Sequence, residues 1–222
     1  MKSRSPFREF YILRLRESQE QICSVYKIAS TSCAHECDLI LLINACTQNL
    51  SIFALHPIYP LFIRWCSKDK TVLAFDPIDK EIPKVKIIDR ECEDFEALRK
   101  KYTTLIQSIR MVSCKGKNVW APQNKIWSTA SVGTDNKGRI LFIHVRSPYS
   151  THDLINMLMQ IPIKLERAMY VEGGADAQLY INTGKEEHEF IGSYSTGLRE
   201  HDQNTFSHPI PNVLGLIRVK QQ

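Results

Sequence analysis

One acidic residue followed by two glycines is the part of this sequence best suited to chemistry. Glu172 comes after the apolar residues 169–171 and directly before Gly173 and Gly174. Met, Tyr and Val favour a pleated, partly buried backbone, and the pattern resumes at Gln178–Ile181. We therefore predict that Glu172 ends a strand, where the bare glycine backbone lets a polar ligand approach its carboxylate. The alternative is an ordinary hairpin turn with a solvated Glu172.

Two further groups with acid–base or anion-binding chemistry occur on one predicted strand. His144 lies in the strand predicted over Arg139–Val145, and Arg146 follows two residues later, so both side chains point to one face. Imidazole transfers protons near neutral pH, and a guanidinium holds two phosphate oxygens at once. Arg110, in the strand predicted over Thr104–Val112, is a second anion-binding candidate. The alternatives are a core histidine and surface ion pairs.

The elements that position these groups are mostly strands. The main helix is predicted over Pro148–Gln160, with Ser150 or Thr151 as its cap and Pro162 as its stop. A short helix is predicted over Glu93–Lys101, with acids first and bases last. These elements predict an α+β fold with a strand-rich mixed sheet and one main helix packed on it. The other predicted strands are Phe7–Leu15 and Gln21–Ile28 (as a hairpin), Asp38–Asn44, Thr71–Phe75, Lys84–Ile88, Trp127–Val132, Gly192–Tyr194 and one after Pro209.

Composition excludes several classes of protein. The 222 residues are 43% hydrophobic and 24% charged, as in an ordinary globular protein. The net charge of +5 is spread along the chain, so we expect no nucleic-acid partner. The most apolar region, Ile52–Ile63, is short and broken by proline, so we expect no membrane span. The N-terminal residues lack the apolar core of an export signal, so the sequence as written predicts a cytoplasmic protein.

The seven cysteines all lie in the first half of the chain. An odd number excludes complete internal pairing. The motif Cys33-Ala-His35-Glu-Cys37 has zinc-ligand residue types, but no second ligand pair follows at regular spacing. We therefore expect free buried thiols and find no ligand set that requires a metal, so the sequence assigns no cofactor.

Several of these residue groups together resemble the phosphodiester glycosidase family. The family pattern of strand, acid-Gly-Gly and strand is matched by Met169–Tyr180, and the preceding helix by Pro148–Gln160. A closing Pro-Asn-hydrophobic-hydrophobic-Gly motif is matched by Pro211–Gly215. The resemblance is good over residues 71–219 and thin over 1–70, within one predicted domain of residues 1–222. Gln107–Arg110 and Trp127–Ala130 resemble motifs of bacterial members, and Ile43–Ala45 resembles the start of an Asn-Ala-Gly block.

The resemblance implies hydrolysis of glycosyl phosphodiesters, with a phosphorylated carbohydrate or glycan as the substrate. Glu172 would be the general acid/base or would stabilise positive charge on the sugar, and His144 would shuttle a proton. A second carboxylate would be Asp176 or Asp89. Family relatives are often exported or periplasmic. The residues that would bind substrate are Asn44, Arg110, Arg146, Gly173, Gly174 and Asn212.

Two departures from the family pattern leave an alternative function open. Cys46 stands where the family has glycine, and Glu172 stands where it has aspartate. The extra methylene displaces a carboxyl group by roughly an ångström, which is enough to weaken a catalytic geometry. The alternative is therefore a non-catalytic protein of the same fold that binds a phosphorylated glycan or an envelope polymer.

Overall fold

A computed structural model describes residues 10–14, 20–26, 39–44, 51–54, 69–207 and 212–218. The helices are α1 (Phe95–Leu98), continued by a 3₁₀ turn at Arg99–Lys101, and α2 (Thr151–Gln160). The strands are β1 (Phe10–Arg14), β2 (Glu20–Tyr26), β3 (Leu39–Asn44), β4 (Ser51–Ala54), β5 (Thr71–Pro77), β6 (Val85–Asp89), β7 (Tyr102–Ser108), β8 (Arg110–Val112), β9 (Trp127–Asp135), β10 (Ile140–Tyr149), β11 (Leu165–Gly173), β12 (Gln178–Asn182), β13 (Glu187–Ile191) and β14 (Asn212–Arg218).

The strands form three sheets, and every pairing between described strands is antiparallel. Sheet A has the order β1-β10-β9-β11-β8, sheet B has β13-β12-β3-β14-β2, and sheet C has β4-β7-β5-β6. This confirms the predicted α+β class, rich in strands and with one main helix. Within the described ranges, no helix is both long and apolar enough to cross a membrane.

The three sheets share one hydrophobic core. Leu73 of sheet C, Phe142 and Met169 of sheet A, and Leu179 and Leu214 of sheet B belong to the same buried cluster. Burial of large aliphatic and aromatic side chains of this kind contributes about 1.5–3 kcal/mol each to folding. The ends of these strands are thereby held in fixed positions relative to one another.

Helix α2 covers the other face of sheet A. Its buried residues Leu154 and Leu158 pack against Leu141, Ile143 and Val145, which alternate with the core-facing residues of β10. The hydroxyl of Ser150 accepts a hydrogen bond from the Asp153 backbone N–H at 3.1 Å, so Ser150 is the cap. The predicted helix and its predicted stop before Pro162 are both confirmed.

Several local predictions are wrong because a strand's partner is chosen by the whole fold. The predicted opening hairpin does not form: β1 pairs with β10 in sheet A, whereas β2 pairs with β14 in sheet B. The strand predicted over Thr104–Val112 is divided between β7 of sheet C and β8 of sheet A. Gly192–Tyr194 is not a strand, and β13 comes directly before it.

The prediction of free thiols is wrong for Cys92 and Cys114, which form a disulfide. Cys92 follows β6 and Cys114 follows β8, so the bond joins the ends of a sheet C strand and a sheet A strand. The motif Cys33–Cys37 lies outside the described residues.

Candidate active site

A β-bulge places Glu172 at the end of β11. Tyr170 lies opposite Ser131 of β9, but Glu172 lies opposite Ala130, so one extra residue of β11 is accommodated between these pairs. Bulges bend a strand and re-aim the side chains beside them. From the other side of β9, His144 of β10 also lies opposite Ala130. The backbones of Glu172 and His144 are therefore two strand spacings apart, about 10 Å.

The turn after Glu172 joins two sheets. Gly173 ends β11 in sheet A, Gly174–Asp176 forms a 3₁₀ turn, and Gln178 begins β12 in sheet B. The alternative interpretation as a hairpin turn is therefore wrong. The turn requires its glycines: Gly174 has φ +67°, and a Cβ on Gly173 would collide with the Tyr170 hydroxyl and lie 2.9 Å from Cδ1 of Trp127.

The Glu172 carboxyl is partly buried, and its Oε1 accepts a hydrogen bond from the Gly173 N–H at 2.9 Å. Burial raises the pKa of Glu172 to about 8, and the negative charge of Asp176 adds to this effect, while the Gly173 N–H opposes it. At neutral pH the carboxyl is therefore mostly protonated. In this form the carboxyl has a hydrogen to donate, directly before the glycine turn.

His144 is fully buried, and its Nε2 lies 3.0 Å from the Ala177 carbonyl oxygen. Because a carbonyl only accepts, Nε2 carries the hydrogen. The same oxygen accepts from the Gly192 N–H at 2.7 Å. Burial lowers the pKa of His144 to about 4, and the charge of Arg146 lowers it further, against the effect of the Ala177 hydrogen bond. Its Nδ1 is buried and has no hydrogen-bond partner among the described residues, so the one polar contact of His144 is the bond that fixes the end of the Glu172 turn.

Arg146 connects the end of β10 to the segment of residues 192–207. Its Nη1 donates to the Ile191 carbonyl at 2.6 Å and its Nη2 to the Asn204 carbonyl at 3.0 Å. Its Nε and Nη2 both reach one oxygen of Asp202, at 3.0 and 2.8 Å. The Asp202 side chain is 60% exposed, so among the described partners of Arg146 this anion is the one that a ligand can replace without breaking a bond to a backbone carbonyl.

Two buried polar residues that the sequence did not single out complete this arrangement. The Ser128 hydroxyl donates to the Arg146 carbonyl at 2.5 Å and accepts from the Ser193 N–H at 3.0 Å. Asn204 donates from its side chain to the Gly192 carbonyl at 2.8 Å. These bonds hold residues 192–195 against the Glu172 turn. Ser128 lies in the quoted Trp127–Ala130 motif, whereas no sequence signal marks Asn204.

Arg110 lies apart from this group and is held by two carboxylates. It is opposite Met169 in β11, three residues before Glu172 and thus about 10 Å along the strand. Its guanidinium contacts the buried Asp89 and the half-exposed Glu91, each at 2.8 Å. The contacts are those of an ion pair between sheets A and C, which was the alternative to anion binding.

Asn44 and Asn212 lie at the end of sheet B that receives the Glu172 turn. Asn44 ends β3 opposite Val213, and Asn212 begins β14. Leu179 of β12 lies opposite Ile43, so Asn44 is level with Gln178, the first residue of β12. The backbone register thus brings both asparagines toward the end of the fold that carries Glu172.

One group of described residues has the atom types and spacing of metal ligands: Asp89, Cys92 and Cys114. Its two sulfur atoms are bonded to each other, and Asp89 is paired with Arg110. The nearby positive charge and the covalent bond both disfavour a cation there.

Comparisons with known proteins agree with this fold. The zebrafish N-acetylglucosamine-1-phosphodiester alpha-N-acetylglucosaminidase catalytic domain, in a structure auto-inhibited by its pro-peptide, has a TM-score of 0.57 and 14% sequence identity, over 98% of this chain and 85% of that one. A hypothetical protein from Synechocystis has a TM-score of 0.54 and 10% identity, over 95% of this chain and 59% of that one. No curated protein matches the sequence.

The family comparison covers more of the sequence than any single motif. The model of the phosphodiester glycosidase family matches residues 64–217, which is more than half of the chain. The match includes Glu172, its two glycines and both strands that flank the turn. The chain belongs to the phosphodiester glycosidase family.

Proposed function

We propose that this protein hydrolyses glycosyl phosphodiesters, with Glu172 as the general acid. Membership of the family supports a phosphodiester glycosidase-like function in general. The observation that carries the finer proposal is the raised pKa of Glu172, about 8, at the turn between sheets A and B. A carboxyl that is protonated at neutral pH has the form that a general acid needs.

The protonated state also suits a charged substrate. A phosphodiester carries one negative charge, which an ionised carboxylate at close range would repel. In the proposed reaction the bond between C1 of the sugar and the phosphate oxygen breaks, and Glu172 gives its proton to that oxygen. Water supplies hydroxide to C1 and gives its remaining proton to Asp176, the base. The products are a free sugar and a phosphate monoester.

Asp176 is the second carboxylate of the proposal. It lies on the 3₁₀ turn, it is exposed, and its charge helps to raise the pKa of Glu172. Two carboxyl groups whose environments differ are the usual arrangement of acid and base in glycosidases. Asp89, the other candidate from the sequence, is buried in its ion pair with Arg110.

The remaining roles follow from the contacts of each residue. We assign Arg146 to the phosphate, in exchange for Asp202, together with the backbone N–H of Gly174. Gly173 is assigned to the position of the Glu172 carboxyl, to which its N–H donates. Asn44 and Asn212 are assigned to sugar hydroxyls. We assign His144 to the position of the turn rather than to proton transfer, because it is buried and bonded to Ala177. Arg110 is assigned to the ion pair alone.

The test is an assay with a chromogenic sugar-1-phosphodiester, with products identified by ³¹P NMR. Glu172→Gln should lower kcat by about 10²–10⁴-fold, the usual contribution of a general acid. The matched control is Glu166→Gln, which removes an exposed carboxylate from the same strand. Full activity of Glu172→Gln would contradict the proposal. Ligand binding without turnover by the unmodified protein would instead identify a binding protein of the same fold.

A further inference from the structure

The segment between β8 and β9, residues 113–126, has to cross β11, because β11 lies between those two strands in sheet A. Val112 ends β8 opposite Ala168. Strand β9 begins at Trp127, whose ring borders the Cα of Gly173. The two ends of the segment therefore lie at Ala168 and at Gly173 of β11, roughly 17 Å apart at the rise of a strand. The segment ends beside Glu172.

This segment is held to the fold at several points. The Ser113 N–H donates to the Lys117 carbonyl at 3.0 Å, which closes a tight hairpin turn, and the Val119 N–H donates to Met111 at 3.1 Å. The side chain of Asn118 donates to Asn156 of α2 at 2.8 Å. Because these bonds fix the path of the segment, the protein loses little conformational entropy when a ligand binds along it.

The segment is basic. Lys115, Lys117 and Lys125 are exposed, and residues 113–126 contain no Asp or Glu. Among the ion pairs formed between described residues, none includes these three lysines. Their ammonium groups are thus available to anions in solution.

The acidic side chains that border the segment already have partners. Asp89 and Glu91 hold Arg110 at one end, and Asp153 accepts a hydrogen bond from the Ser150 hydroxyl at 2.7 Å. None of these three carboxylates forms an ion pair with Lys115, Lys117 or Lys125. An anion that approaches this face meets lysines spread along the path.

Contacts through aromatic side chains connect the segment to the proposed active site. The ring of Trp120 packs on the ring of Tyr170, with centroids 5.5 Å apart. The Tyr170 hydroxyl in turn occupies the space where a Cβ of Gly173 would lie. Lys125 comes two residues before Trp127, at the Gly173 end of the path.

We propose that residues 113–126 form a basic track that binds the successive phosphates of a polymeric phosphodiester substrate. The inference rests on the proposed function, since it makes the scissile bond at Glu172 one of several phosphodiesters in a chain. The ends of the segment lie roughly 17 Å apart, which is longer than one sugar phosphate. Lys115 and Lys117 lie near one end of the segment and Lys125 near the other, so we expect a single diester not to contact all three. A polymer with a phosphate in every repeat can do so.

The experiment measures binding without turnover. In a Glu172→Gln background, the track variant carries Lys115→Gln, Lys117→Gln and Lys125→Gln. The control variant carries Lys80→Gln, Lys137→Gln and Lys185→Gln, which removes the same charge from exposed turns elsewhere. Binding of poly(glycerol phosphate) and of the chromogenic single-phosphate diester is measured by calorimetry at low and at physiological salt.

The track variant should bind the polymer about tenfold more weakly than the parent, since three exposed ion pairs are lost, and with a weaker dependence on salt. Its affinity for the single diester should stay the same. The control variant should keep its affinity for the polymer within about twofold.

Three results would overturn the proposal. Equal weakening in the track and control variants would show an effect of net charge alone. Equal weakening for polymer and single diester would place the lysines at the site of one phosphate. Binding of single-stranded DNA as tight as that of the polymer, with the same loss in the track variant, would identify a general polyanion surface. Because binding is measured without catalysis, an absence of hydrolysis would contradict the proposed function without affecting the binding test of the basic track.

Discussion

His144 and Glu172 lie opposite the same residue, Ala130, one from each neighbouring strand of sheet A. The turn that starts at Glu172 ends at Ala177, whose carbonyl oxygen accepts the His144 hydrogen bond. The two side chains are thus linked through the backbone of the turn. Burial disfavours the charged form of each side chain, so it raises the pKa of Glu172 and lowers the pKa of His144. Both are therefore neutral at pH 7.

The titration of Glu172 tests the electrostatics of the site directly. In a protein with ¹³C-labelled glutamate carboxyl groups, the Glu172 signal should titrate near pH 8. Asp176→Asn removes a like charge and should move the midpoint to lower pH. Glu166→Gln should leave it in place, and the signal is assigned by its absence in Glu172→Gln. A midpoint near that of an ordinary glutamate would remove the reason for choosing Glu172 as the acid.

The exchange of anions at Arg146 can be tested through KM. Asp202→Asn removes the carboxylate that competes with phosphate for the guanidinium, so KM for the chromogenic diester should fall by about threefold. Arg146→Lys should raise KM, because an ammonium cannot reproduce the planar contacts. An uncharged aryl glycoside should show neither effect. If both substrates respond equally, Arg146 acts only by holding residues 192–207.

The buried His144 makes stability depend on pH in a defined window. The pKa of His144 is lowered from its ordinary value of 6.5 to about 4 in the folded protein. Between these two pH values the unfolded chain therefore binds more protons than the folded protein does. Stability should therefore fall as the pH drops from 6.5 toward 4. Glu172 has the opposite effect, since its raised pKa makes stability fall as the pH rises from 4.5 toward 8.

Urea unfolding in a Glu172→Gln background separates these two contributions. The parent should lose stability between pH 6.5 and pH 4, and His144→Asn should lose less over the same range. Two curves of equal slope would show that His144 titrates normally in the folded state.

The contact between Gly173 and Tyr170 should show strong energetic coupling. Gly173→Ala places a methyl group against the Tyr170 hydroxyl and should destabilise the protein by about 1–3 kcal/mol. Adding Tyr170→Phe removes that oxygen and should restore part of the loss, while the nearby Trp127 ring keeps the recovery incomplete. Additive effects in this double-mutant cycle would mean that the two residues do not meet.

The sequence predicts local structure better than it predicts partners. The alternating pattern of β12 and the capping residue of α2 are visible in the chain, because each depends on neighbours a few residues away. The separation of β1 from β2 into two sheets is not visible, since either strand satisfies the same local pattern as a hairpin. For the same reason the glycines after Glu172 resemble a hairpin turn, although they join two sheets.

The candidate site likewise contains residues that the sequence marks and residues whose partners only the fold reveals. Glu172 and its glycines are marked by residue type and order. Arg110 and Arg146 are equivalent in the sequence, and only the fold shows that the first faces Asp89 and the second faces an exposed Asp202. Asn204 could not be predicted, because its bond to the Gly192 carbonyl joins two residues that no sequence motif links.

The Gly173–Ala177 turn connects β11 of sheet A to β12 of sheet B, and the core that those sheets share holds its two ends. The position of the Glu172 carboxyl therefore depends on the packing of both layers. A core substitution that shifts either layer would move this carboxyl without changing any residue beside it.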